Sequence, residues 1–293
     1  MENLERDDLD DRGLTFEHHR PRLFGIAYRM LGTRADAEDV LQDAYIRWHA
    51  ASMAEIRSPE AWLVRAVTRL CIDRLRASRS AREVYVGPWL PEPIVGESAP
   101  PADASLELAS NLSIAFLVVL ERLAPEERAA FLLHEVFESD YAEIAEVLGK
   151  SETACRQIVS RARKRVRENR PRVQVTEVAR RQVLERFARA VQTQDRDALL
   201  ALFAAEATWT SDGGGKARAA RKTIRGRERV VRFVIGALAR HSDKLSFSMT
   251  TVNYEAGLAV HAEGRLFSVI SVRTDGARIL DVFTVLNPEK LRA

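Results

Sequence analysis

The chain has 293 residues, enough for two or three domains that each bury a core, with 46% hydrophobic and 30% charged residues and a formal charge of only +3. No apolar stretch nears the roughly 20 residues that a bilayer span needs, and the opening MENLERDDLDDRG is acidic and polar, unlike a signal peptide. Cys71 and Cys155 make no disulfide framework, and no zinc-ligand cluster, Gly-rich nucleotide loop or other cofactor motif is present, so a cytoplasmic protein without cofactor or membrane attachment is expected.

Charge is segregated along the chain. Residues 1–55 carry 12 acids against 7 Arg, a net of −5, whereas residues 56–82 carry 7 Arg against Glu60 and Asp73, a net of +5. A first helix is predicted over Phe16–Leu31, with Leu23, Ile26, Ala27 and Met30 inward and Gly32 ending it. A second starts at Thr33 and turns Ala37, Val40, Leu41, Ala44, Tyr45 and Trp48 to the core. Its exposed side carries Asp36, Glu38, Asp39, Gln42 and Asp43. Ser58-Pro59 is a natural cap and first-turn pair for a third, with Ala61, Val64, Val67, Leu70, Cys71 and Leu75 inward and arginines between them.

From Gly87 to Pro101 the sequence GPWLPEPIVGESAPP is too rich in Pro and Gly for a regular element. It reads as a linker, although Trp89-Leu90-Pro91 is apolar enough to need a docking site. Helices are predicted over Leu106–Leu123 and Pro125–Phe137. A helix-turn-helix follows: Asp140 and Glu143 cap a helix with Ile144, Ala145 and Leu148 inward, Gly149-Lys150 breaks it, and Ser151 caps the next. That last helix buries Cys155, Ile158, Ala162 and Val166. Its other face carries Arg156, Gln157, Ser160, Arg161, Arg163, Lys164 and Arg167. A solvated basic hairpin is the plain alternative to DNA binding. The charge count favours DNA, since residues 151–173 hold 8 Lys or Arg against Glu152 and Glu168, a net of +6.

After Pro171 the pattern changes. Val178–Thr193, Asp195–Ala204 and Arg227–Arg240 read as amphipathic helices. Leu245-Phe247-Met249-Thr251, Ala259-His261, Leu266-Val269 and Ile279-Asp281-Phe283-Val285 alternate as antiparallel strands, with turns at Glu255-Ala256-Gly257 and Thr274-Asp275-Gly276. The fold class expected is multidomain: two all-α domains, the second with the helix-turn-helix, and then an α+β domain.

The segments RLFGIAYRMLGTRADAEDVLQDAYIRW, SPEAWLVRAVTRLCIDRLRASR and LAPEERAAFLLHEVFESDYAEIAEVLGKSETACRQIVSRARKRVR together resemble the extracytoplasmic-function sigma factors of bacterial RNA polymerase. Residues 178–293 resemble the SnoaL-like domains, cone-shaped relatives of nuclear transport factor two. One subgroup of these sigma factors joins such a tail to three short signatures. Here they stand as Trp89-Leu90-Pro91-Glu92-Pro93, Asp212-Gly213-Gly214-Gly215-Lys216 and Asn287-Pro288-Glu289-Lys290-Leu291.

The resemblance implies sigma region 2 over 1–82, a linker over 83–105, region 4 over 106–172 and a SnoaL-like regulatory domain over 173–293. It implies core RNA polymerase and promoter DNA as partners, with an unidentified small ligand in the cone left open. Asp36, Glu38, Asp39, Gln42 and Asp43 would then meet the polymerase. Arg57, Arg65, Arg69, Arg74 and Arg76 would neutralise phosphates at the −10 element, with Trp62 either stacking on a base or packing in the core.

Ser151, Glu152, Thr153, Arg156, Gln157 and Ser160 lie near base edges of the −35 element in this reading, while Arg161 and Lys164 hold phosphates. The three signatures are expected to lie together, with the Gly triplet as a flexible loop. Asp212, His261 and Asp281 are the candidates for a tail enzyme of the isomerase or cyclase kind, and no spacing among them demands catalysis. A one-component regulator with a ligand-binding tail is the other alternative, though it has no use for the acidic helix.

Overall fold

Capping chemistry sets most helix boundaries. The computed structural model describes residues 2–52, 56–78, 84–96, 112–169, 175–240 and 245–291. Helix α1 (Glu2–Leu31) starts well before the expected Phe16 and runs through Pro21, which removes one backbone donor without ending it. Thr33 caps α2 (Arg34–Ala50) by accepting from the Asp36 amide, and Ser58 caps α3 (Pro59–Ala77) by accepting from Ala61, with Pro59 in the first turn. The chain continues through α4 (Ile114–Leu120), α5 (Pro125–Glu135), α6 (Tyr141–Leu148) and α7 (Glu152–Asn169). The expected helix start at Leu106 lies outside the described residues.

Contacts divide the chain into two compact units, residues 1–80 with 119–169 and residues 81–118 with 170–293. In the first, α1–α3 bury Leu23, Ile26, Met30, Leu41, Trp48, Leu63 and Val67, each such side chain contributing about 1.5–3 kcal/mol. Trp48 donates its indole N–H to the Arg12 carbonyl at 3.0 Å, which pins α2 to α1. Arg128 of α5 is buried and donates to the Met30 carbonyl at 2.5 Å and to Glu121 at 2.7 Å. Two inward assignments fail: Tyr45 and Ala61 are exposed, because Leu63, Thr68 and Ile72 shift the buried stripe of α3 and the Tyr45 ring lies against Phe16 and His49 at the edge of α2.

The second unit is a six-stranded sheet in the order β2-β1-β6-β5-β4-β3, made of β1 (Phe203–Asp212), β2 (Ile224–Arg225), β3 (Leu245–Val252), β4 (Glu255–Ala262), β5 (Arg265–Thr274) and β6 (Ile279–Val285). It is mixed, because β1 pairs in parallel with β6. Helices α8 (Glu177–Gln192), α9 (Arg196–Leu202) and α10 (Arg227–Leu238) cover one face through Leu184, Phe187, Leu199, Val230 and Val234 against Trp209, Leu258, Ile270 and Val282. The opposite face, with Val252, Val269, Phe283 and Val285, is covered by Leu90 and Ile114.

Two expectations for this unit need correction. Strand β1 occupies sequence that carries no clear period-two alternation. The β3–β4 turn falls at Asn253-Tyr254, both left-handed at φ 53° and 65°, so Glu255–Gly257 is strand, not turn. Gly257 is needed for closeness: a Cβ there would lie 2.4 Å from Val252 Cγ2 and 2.8 Å from the Ile270 carbonyl.

Candidate nucleic-acid interface and the linker knot

The helix-turn-helix forms as its capping residues dictate. Asp140 accepts from the Glu143 amide at 2.8 Å, Gly149 takes the left-handed conformation at φ 63°, and Ser151 accepts from Ala154 at 3.2 Å. Helix α7 buries Cys155, Ile158, Val159, Ala162 and Val166 and exposes Ser151, Glu152, Thr153, Arg156, Gln157, Ser160, Arg161, Lys164 and Arg167. Two of its cations are drawn to α5, Arg163 to Glu135 and Arg165 to Glu127. Burial pushes the Cys155 thiol up, and Cys71 is raised the same way, so both are held as inert thiols.

On α2, Gln42 and Asp43 are exposed, and Glu38 pairs with Arg20 at 2.5 Å. Asp36 and Asp39 both bind Arg74 of α3 at 2.7 Å. Burial works against the Arg74 charge, but its hydrogen bonds to Asp39 and Asp36 outweigh this and raise its pKa. The acidic surface and the basic helix therefore meet at Arg74.

The rest of the α3 row is also engaged. Arg69 donates to the Val147 carbonyl at 2.9 Å and the Glu146 carbonyl at 2.8 Å, at the end of α6. Arg65 lies 3.9 Å from the Glu146 carboxylate, and Arg76 pairs with Glu126 at 2.6 Å. Trp62 is half-buried and packs on Trp48 with ring centroids 5.4 Å apart. Arg57 is exposed.

The three short signatures converge on one buried carboxylate. Asp212, at 0% exposure, ends β1 and accepts four hydrogen bonds: from Tyr85 Oη at 2.6 Å, Gly214 N at 3.1 Å, Leu90 N at 2.8 Å and Lys290 Nζ at 2.8 Å. Lys290, only 8% exposed, also donates to the Leu90 carbonyl at 2.5 Å and lies 4.2 Å from the centre of the Trp89 ring. Asn287 donates from Nδ2 to Tyr85 Oη at 3.0 Å, and the Leu286 and Asn287 amides bond the Asp212 carbonyl at 2.7 and 3.0 Å.

Pro91 is buried beside Leu90, Pro288 is exposed, and Lys216 pairs with Glu289. The Gly triplet is a hydrogen-bonded turn where a flexible loop was expected, with Lys216 N and Ala217 N both 2.9 Å from the Gly213 carbonyl. A Cβ on Gly213 would lie 2.4 Å from the Ala217 carbonyl, and Gly214 and Gly215 are left-handed at φ 58° and 73°.

Tyr85 and Asn253 are contacts of this site that sequence reasoning missed. Burial, and then the hydrogen bond to Asp212, raise the Tyr85 phenol and keep it a donor. Asn253 Oδ1 accepts from Ile94 N at 3.0 Å, extending the linker's attachment by one more backbone bond. Their signal was present only as a Tyr four residues before Trp89 and an Asn in an unrecognised turn.

The remaining tail candidates do not gather. Asp281 and His261 share the sheet face away from the helices but sit far apart on it: Asp281, bonded by Thr208 and Arg273, pairs in register with Arg273 of β5, and His261 with Leu266, seven residues along the same strand. Among the described residues no group of three or more His, Cys, Asp or Glu could hold a metal ion, and no helix is long and apolar enough to cross a membrane.

Comparison with known proteins matches this geometry segment by segment. Family models match for Sigma-70 region 2 over residues 15–81, Sigma-70 region 4 over 113–166 and a SnoaL-like domain over 184–288. The ECF RNA polymerase sigma factor SigJ of Mycobacterium tuberculosis is 39% identical over 288 residues, covering 94% of this chain and 91% of the relative. The probable ECF RNA polymerase sigma factor SigI of the same organism is 35% identical over 184 residues, 62% of this chain and 63% of the relative. The crystal structure of Mycobacterium tuberculosis SigJ superposes with a TM-score of 0.73 at 37% identity, covering 94% of this chain and 96% of that one.

Proposed function

Because the chain belongs to the extracytoplasmic-function RNA polymerase sigma factors, which direct promoter-specific transcription initiation, we propose that its tail domain modulates that activity in cis through the Asp212–Lys290 knot. Residues 1–82 act as region 2, residues 106–172 as region 4 and residues 173–293 as the regulator, with 83–105 the linker between the two readers. The partners are core RNA polymerase and promoter DNA, met in the cytoplasm.

On this reading Asp36, Glu38, Asp39, Gln42 and Asp43 form the polymerase contact. Arg57, Trp62, Arg65, Arg69, Arg74 and Arg76 serve the −10 element. The first turns of α7 place Ser151, Glu152, Thr153, Arg156, Gln157 and Ser160 towards base edges, and Arg161 and Lys164 hold phosphates. The tail is a regulator, not an isomerase or cyclase. Its two carboxylate candidates are committed, Asp212 to four donors and Asp281 to Thr208 and Arg273, so neither is poised as a general base.

The observation that carries the reading is that one buried carboxylate ties the linker between the two readers to the tail. The test is transcription in vitro by core polymerase with the full chain or its Asp212→Asn variant. Promoter output is expected to change at least three-fold while capture of core polymerase without DNA stays the same. Unchanged output on every promoter would remove cis control.

A further inference from the structure

Arg156 is the first cation within α7, and two contacts hold it although its side chain is 60% exposed. Glu152 pairs with it at 2.9 Å along the same helix. The second contact comes from outside α7: the guanidinium carbon lies 5.0 Å from the centre of the Tyr141 ring, at the first turn of α6. An ion pair within one helix draws the arginine back along its own backbone. An aromatic face on the neighbouring helix restrains it sideways as well.

Tyr141 is itself fixed. Its hydroxyl is 3.0 Å from His134 Nε2, and His134 Nδ1 is 3.2 Å from the Ser139 carbonyl. A carbonyl can only accept, so Nδ1 carries a proton, and in the neutral imidazole Nε2 accepts from the tyrosine O–H. The two rings overlap at 4.4 Å with a 33° tilt. Arg163 is held in its charged form by Glu135 first and by the Tyr141 hydroxyl in addition. One half-buried ring is thereby clamped to the end of α5, to the turn after it and to two arginines of α7.

We propose that Tyr141 is a positioning residue for promoter recognition: its ring face orients the Arg156 guanidinium towards the base edge that this arginine reads. The proposal rests on α7 being the helix that enters the major groove. A long cation already confined to one region gives up less freedom when it meets a base, and its planar fork is useful only when correctly turned. Tyr141 never needs to touch DNA for its loss to be felt at one base pair.

The test uses the full chain with core RNA polymerase and a pool of duplexes randomised over one helical turn, selected by binding and then sequenced. Arg156→Ala first identifies the position whose preference depends on Arg156. Tyr141→Leu, or Tyr141→Met where leucine lowers the melting temperature, is then expected to weaken the preference at that position about three-fold, the size of an exposed cation–π contact. Preferences elsewhere should stay, and Tyr141→Phe, which keeps the ring, should retain the wild-type value.

Three results overturn the proposal: a wild-type preference in Tyr141→Leu, equal losses in Tyr141→Leu and Tyr141→Phe, or a uniform loss at every position. Should Arg156→Ala leave all preferences intact, the assignment of Arg156 as a base reader falls, and this proposal with it. Should Arg156→Ala erase one preference that Tyr141→Leu leaves in place, only the positioning role falls.

Discussion

Replacing Asp212 with Asn keeps the size of the side chain and removes its charge at the centre of the knot. Two of the four donors, Tyr85 Oη and Gly214 N, reach Oδ1 and can still be accepted. The other two, Leu90 N and Lys290 Nζ, reach Oδ2, where the variant then places an amide NH2 that cannot accept from either. Lys290 is then a cation at 8% exposure without its anion, a loss of about 3–5 kcal/mol. The Leu90 amide, if orphaned, adds about 1–3 kcal/mol.

At about 1.4 kcal/mol per decade, the lower bound already makes local opening of the linker on the order of a hundred-fold more frequent. Hydrogen exchange followed by mass spectrometry on peptides spanning 85–95 reads this opening directly. Lys290→Met in the Asp212→Asn background should recover a large part of the protection, because it removes the stranded charge. Exchange within two-fold of wild type in Asp212→Asn would falsify the view that the carboxylate holds the linker.

Gly214→Ala should destabilise the tail unit by at least about 2 kcal/mol, since it combines a left-handed backbone with a Cβ 2.4 Å from Asn287 Nδ2. Gly149→Ala, also left-handed at φ 63° but with nothing within 4 Å of the added carbon, isolates backbone strain from collision and should cost clearly less by calorimetry. Glu255 supplies a pH dependence: burial outweighs the Arg180 ion pair at 2.8 Å, and with Glu177 nearby lifts its carboxyl from 4.5 to about 7. A raised acid contributes stability that is complete below its unfolded value and is lost as pH climbs through the folded one. Wild type should therefore lose about 3 kcal/mol relative to Glu255→Gln between pH 4.5 and 7.5. Parallel stability curves for the two proteins across that range would refute this.

Helix ends were legible because each is written in one or two residues: Thr33, Ser58-Pro59, Asp140, Gly149 and Ser151 all cap where their chemistry says they should. The apolar stripe of α7 was equally plain. Strand β1 was not, because its inward residues Ala207, Trp209 and Ser211 share no hydropathy and only tertiary packing makes them one face. The turn at Asn253-Tyr254 was hidden by a tyrosine with positive φ, and Gly257 looked like a turn signal because closeness and flexibility both select glycine. The convergence of the three signatures followed from resemblance. The reason for it, a carboxylate with four donors, needed the positions of Tyr85 and Lys290, which are 205 residues apart in sequence.

The engagement of the α3 arginines bears on how the free chain responds to salt. A cation that meets a phosphate from open solvent releases a condensed counterion, and this release makes nucleic-acid binding steep in ionic strength. Arg65, Arg74 and Arg76 already face carboxylates, and Arg69 already faces carbonyls. For Arg65, Arg74 and Arg76 a phosphate would replace a carboxylate, and the carboxylate left behind attracts salt cations of its own, which offsets the release; Arg69 would leave only neutral carbonyls. On the proposed reading, the salt-steep component of binding rests on solvent-facing cations such as Arg57, Arg161 and Lys164, and Arg65, Arg74 and Arg76 add to it only where their present partners are displaced.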